Sequence, residues 1–271
     1  MPDTDLLRTI HAALERHPRL HLKPGDVDVR LEGDTLVLEG TVENIAARRL
    51  VPAIVSEASR GKGLADRLRV RPDERREDSE LALAVDRLLS DEPVFTGMRV
   101  VPDLPGAHRA AAQNELRVSV AGGVVRLSGT VGSLSHRRIA EALAWWVSGV
   151  MDVDNRLYVS PAERDSDDEI TDALRLLLEK DPWIDASHLG IRTQDRVVAL
   201  SGALPGEEQK RMAENDAWYI AGVRDVVNRI ASAEWQWRDE GVDEASRESF
   251  PASDPPAMGP VVGVGGRSRD P

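Results

Sequence analysis

Apolar and polar positions alternate in two rhythms along this chain, and the rhythms recur. Leu6, Leu7, Ile10 and Leu14 follow helical spacing, as do Leu81, Val85, Leu88 and Leu89, and again Ile170, Ala173, Leu174 and Leu177. Each segment runs into a proline, at Pro18, Pro93 and Pro182, which lacks a backbone donor and stops a helix. Next comes a period-two run: Thr35 to Val42, Val124 to Val131 and Val197 to Leu204. Each run has Leu-x-Gly near its end, placing Gly40, Gly129 and Gly202. A glycine within a strand pattern marks a bulge or the close passage of another backbone. A second amphipathic segment follows. In the later two copies it ends at Gly149-Val150 and Gly222-Val223, where a glycine predicts a left-handed helix C-cap. A short strand closes each of these copies, Val153 to Val159 and Val226 to Ile230, with an Asn-Arg pair at the same place in both. The first copy lacks that pair, and its ending, Gly63 to Val70, reads as shortened.

The unit is therefore helix–strand–strand–helix–strand, with Gly33-Asp34 and Gly122-Gly123 as sound hairpin turns. The predicted fold class is α+β: three tandem α-β-β-α-β modules, each a three-stranded sheet covered by two helices. The boundaries fall at residues 1–72, 73–161 and 162–238, with an insertion near 102–114 in the second module. Residues 239–271 lose all periodicity and are rich in Pro and Gly, which predicts a disordered tail. The charged stretches Arg71 to Asp78 and Pro161 to Asp168 predict flexible linkers between independent modules.

Composition narrows the function classes. Of 271 residues, 41% are hydrophobic but only 4% aromatic, so the cores must rest on aliphatic side chains. No apolar run approaches the ~20 residues that span a bilayer. The segment Met1 to Asp5 has neither a basic nor an apolar leader region, so the expected location is cytoplasmic, at most peripheral at a membrane. Cysteine is absent, which excludes disulfides and thiolate metal sites. A net charge of −12 disfavours nucleic acid as a partner. Residues 1–72 escape that excess, with 12 Lys/Arg against 11 Asp/Glu.

Counted from each strand glycine, positions eight and nine are basic in every copy: Arg48-Arg49, Arg137-Arg138 and Lys210-Arg211. Such pairs suit a phosphate or an acidic partner, and equally a solvated helix face. Trp145-Trp146 and Trp218-Tyr219 also hold matching places. One member of each pair is expected to face the core, leaving Trp146 and Tyr219 for a contact. Trp235 and Trp237 alternate as on one face of a strand. The six histidines are scattered, and Asp167-Asp168-Glu169 reads as helix capping. No phosphate-binding loop or nucleophile motif occurs, so no enzyme activity, metal or cofactor is expected.

Leu127-Ser128-Gly129-Thr130-Val131, followed by Gly149-Val150-Met151-Asp152-Val153-Asp154-Asn155-Arg156-Leu157, resembles the BON domain. The third copy matches well, with Ala203-Leu204 in place of the usual Thr/Ser-Val, and the first drifts at its end. The resemblance implies a non-catalytic module that associates with phospholipid or with other proteins and helps envelopes withstand osmotic stress. The expected function is thus a stress-protective scaffold meeting a phospholipid surface or an envelope partner. The alternative is a protein adaptor or self-assembling structural protein without lipid contact. Basic pairs exposed on one face beside an aromatic favour lipid; pairs held in ion pairs favour the adaptor.

Overall fold

The computed structural model describes residues 3–59, 61–102 and 115–232. The first module comprises α1 (Asp3–Arg16), β1 (Val27–Glu32), β2 (Thr35–Val42), α2 (Ile45–Ala58) and β3 (Gly63–Val70). The second has α3 (Asp78–Ser90), β4 (Arg99–Pro102), β5 (Glu115–Ala121), β6 (Val124–Val131), α4 (Leu134–Trp146) and β7 (Asp152–Val159). The third has α5 (Asp167–Lys180), β8 (Leu189–Gln194), β9 (Val197–Leu204), α6 (Glu207–Tyr219) and β10 (Asp225–Ser232). In each, the central strand runs antiparallel to its hairpin partner and parallel to the closing strand. The architecture is α+β, and the second sheet gains a fourth strand, since β4 pairs in parallel with β5. From residue 103 the expected insertion lies outside the described residues, as do Trp235, Trp237 and the expected tail.

The first module is not shortened. All of β3 pairs with β2, and Asp66-Arg67 occupies the register of Asn155-Arg156 and Asn228-Arg229. One polar residue had replaced another, which obscured the match.

The strand glycines are imposed by a close approach of backbone. A Cβ on Gly40, Gly129 or Gly202 would lie 2.0 Å from the carbonyl oxygen of Asp26, Glu115 or His188. Their φ angles, +138°, +124° and +113°, are also ones that side chains avoid. Gly149 and Gly222 play a different part from the predicted cap. The helices end earlier, at Trp146 and Tyr219. The glycines sit third in tight turns closed by Val150 N–H to Val147 O and Val223 N–H to Ile220 O. In the first copy Gly61, with φ +94°, holds the matching place.

An acidic residue at the head of the first helix clamps the hairpin turn. The Asp78 carboxylate accepts the amides of Gly122 and Gly123 at 2.8 and 2.9 Å. Asp167 accepts those of Asp195 and Arg196 at 2.7 and 3.0 Å. This third turn has φ of 51° and 62° without any glycine, and two charge-assisted bonds offset that conformational cost. Ser166 is the actual N-cap of α5, accepting from Glu169 N–H.

The modules are not independent. Their buried residues form one continuous core, within one compact unit, Met1–Ala233. Helix α4 packs on α5 and α6, and α2 packs on α6. Eight consecutive residues of α4, Arg138 to Trp145, are buried, so this helix is enclosed rather than laid on one sheet. The seams use charged side chains, which in the sequence look like solvated surface.

Because the clash at the strand glycines is with backbone, Gly129→Ala and Gly202→Ala should each destabilise the chain by roughly 2–4 kcal/mol. Gly132→Ala, where an added Cβ meets nothing within 4 Å, should change stability by less than ~0.5 kcal/mol. Calorimetry of residues 1–233 should show one transition; three separable transitions would contradict the shared core.

Candidate functional site

The basic pairs divide between the module seams and the outer surface. On α2, Arg48 reaches Asp66 at 2.6 Å in its own module and Asp152 at 3.3 Å in the second. Arg69 joins at Asp152, 2.8 Å away, and the Val70 amide donates to Met151 O across the same seam. Arg49 pairs with the buried Glu141 of α4. Arg138, whose side chain is 5% exposed, crosses to the third module, donating to Ala221 O at 2.9 Å and pairing with Asp165. Arg137 is exposed on α4. Lys210 and Arg211 pair within α6 with Glu207 and Glu208. Three of the six basic groups are therefore held by the chain's own carboxylates at the seams.

The closing-strand asparagines explain why position eight matters in backbone terms. Asn155 donates to Arg137 O at 2.9 Å and to Glu141 at 3.1 Å, and accepts the Leu157 amide. Asn228 repeats this with Lys210 O, Glu214 and the Ile230 amide. Asp66 accepts the Leu68 amide but has no N–H to offer, and it takes the Arg48 guanidinium instead. Pro52, four residues after Arg48, cannot supply the usual helical N–H to Arg48 O either. In the first module an ion pair thus joins strand to helix where the others use an amide.

The paired aromatics meet at the seam of the second and third modules. Trp145 and Trp218 are buried, while Trp146 and Tyr219 are half-buried. The Trp145 and Tyr219 rings are nearly parallel, 17° apart, with centroids separated by 6.4 Å. Trp146 donates its indole N–H to Asp216 at 2.9 Å. The other oxygen of Asp216 is buried and meets no donor among the described residues. Burial pushes the Asp216 carboxyl up to about 8 against the pull of the Trp146 N–H, and the nearby Asp181 raises it further. Protonation makes Asp216 a donor toward Asp181. Burial, with Asp216 and Asp73, likewise lifts the Tyr219 hydroxyl to about 12.

Around these groups lies a cavity of about 430 Å³, with Trp183, 71% exposed, at its rim. Sequence reasoning passed over Trp183, Asp181 and Asp216. Trp183 follows Pro182 in a turn without periodicity, and Asp216 looks like an ordinary polar position of α6. The only available signal was the Asp-Pro-Trp run at a helix stop. Among the described residues no group of His, Cys, Asp and Glu has the makings of a metal site.

These contacts set two expectations. Asp216 keeps its proton in the folded chain up to about pH 8 but loses it near pH 4 when unfolded, so its contribution to stability falls as pH rises between those values. Asp216→Asn should therefore melt like the wild type near pH 4 and above it at pH 9; an unchanged pH profile would contradict the assignment. Arg138→Ala removes a buried side chain and the donor to Ala221 O, while Asp165 keeps Arg196, and should cost roughly 1–3 kcal/mol by chemical denaturation.

Comparison with known proteins follows the same three divisions. The family model described as "BON domain" matches residues 2–72, 104–161 and 166–234. Osmotically inducible protein Y of Escherichia coli (strain K12) is 33% identical over 113 residues, 40% of this chain and 56% of that protein. The match thus spans little more than half of the relative's length. Two solved structures of CdsD, a structural protein of the type III secretion system of Chlamydia trachomatis, align at 18% and 16% identity. They cover 91% and 86% of this chain and 99% of theirs, each with a TM-score of 0.22. With three registered copies of the motif and a family match over most of its length, the chain belongs to the BON domain family.

Proposed function

We propose that this chain is a non-catalytic scaffold that binds protein partners as one three-module body, in a setting of osmotic stress. The carrying observation is the use of Arg48, Arg49 and Arg138 as seam contacts, each closed by a carboxylate of this chain. A lipid surface would have to compete with those carboxylates, and the net charge of −12 works against long-range attraction to anionic headgroups. The osmotically inducible relative supports the stress setting. No described helix is long and apolar enough to cross a membrane.

Co-sedimentation with vesicles of phosphatidylglycerol and phosphatidylcholine at low salt separates the two ends of this reading. The wild type should stay in the supernatant. Sedimentation that fades with added salt and is lost in Arg137→Glu, which removes an exposed charge without touching a seam, would overturn the proposal and install the phospholipid surface instead.

A further inference from the structure

The cavity between the second and third modules has a chemistry that the scaffold reading does not use. The chain has ten aromatic residues, and four of them line this one space: Trp145, Trp146, Trp183 and Tyr219. Three aspartates, Asp73, Asp181 and Asp216, complete its polar lining together with Ser148 and Asn215, and among the described residues no Lys or Arg lines it. Aromatic faces and carboxylates both attract positive charge, the rings through their quadrupoles. Asp216, 3% exposed, is neutral and engaged with Trp146 and Asp181, so the charge offered to the cavity is that of Asp73 and Asp181. Trp183 is a large apolar ring left 71% exposed at the rim; among the described residues, of the large apolar side chains only Leu83 and Tyr158 are exposed like it.

We propose that this cavity binds a small organic cation bearing a methylated ammonium group. A volume of about 430 Å³ admits such a molecule with room for its substituents. A neutral apolar ligand would leave the aspartates facing hydrocarbon, and an anion would meet only like charge. A small hard metal ion needs a shell of oxygen ligands, and among the described residues no group of His, Cys, Asp and Glu could hold one. A methylated ammonium is weakly hydrated, sits against ring faces, and keeps its charge near Asp181. The second module supplies Asp73, Trp145 and Trp146, and the third supplies Asp181, Trp183, Asp216 and Tyr219. The site therefore exists only when these modules are docked, and occupancy should stabilise the docked form by mass action.

Tetramethylammonium chloride is a direct probe, with sodium chloride at equal ionic strength as its control. Titrated into the full chain, it should change tryptophan fluorescence saturably, with a dissociation constant in the millimolar range or below, and should raise Tm where sodium does not. Trp183→Ala removes an exposed ring and should leave the unliganded melt unchanged while weakening the response roughly tenfold. Asp181→Asn keeps an acceptor for the Trp183 amide and should weaken binding in the same direction. A wild type that shows no saturation by ~100 mM, or that answers sodium equally, overturns the proposal. So does a Trp183→Ala variant that binds as the wild type does.

Discussion

The rest of the structure depends on one close approach, repeated three times: the central strand of each sheet passes so near its hairpin partner that a carbonyl oxygen occupies the place of a side chain. Glycine at 40, 129 and 202 is the only residue that fits. That contact fixes the hairpin a few residues before the second helix begins, and the basic pair stands eight and nine residues after the glycine in every copy. It is the reason the three copies keep step through Leu-x-Gly even where their remaining residues differ.

Above that constraint, the copies share one apolar core, and charged side chains bridge their seams. Arginines of one module reach carboxylates of the next, and the indole of Trp146 reaches Asp216. Ion pairs at a partly buried seam add little net stability over a well-packed apolar seam, but losing one partner is costly because the other stays buried. Such contacts fix a single arrangement of modules. They also answer why so acidic a chain places arginine where it does: Asp152 and Glu141 need partners once the modules dock, and Arg138 joins Arg196 at Asp165.

Much of each module was legible in the sequence, because the signals are local. Period-two runs mark the strands, prolines mark the helix stops, and the Leu-x-Gly register aligns the copies. What escaped was either short or non-local. Strand β4 has four residues, Arg99–Pro102, too few for a periodic signal. Asp66 hid the first closing strand by exchanging an asparagine's amide for an ion pair with Arg48. The seams escaped altogether: on a helix, Arg138 and Glu141 look like solvent-facing residues, and only the neighbouring module makes them buried. The cavity at Trp183 was invisible for the same reason, since its walls come from segments far apart in the chain and its Asp216 has no local mark of burial.

The enclosure of α4 has a consequence for how such a chain can evolve. In a solenoid, copies meet through equivalent faces, so inserting another lengthens the array and leaves each interface intact. Here the middle copy alone has its second helix walled in, while the first has no amide at Asp66 and relies on Arg48 instead. The copies are no longer interchangeable. Each copy now holds a place in the shared core that the other two could not fill.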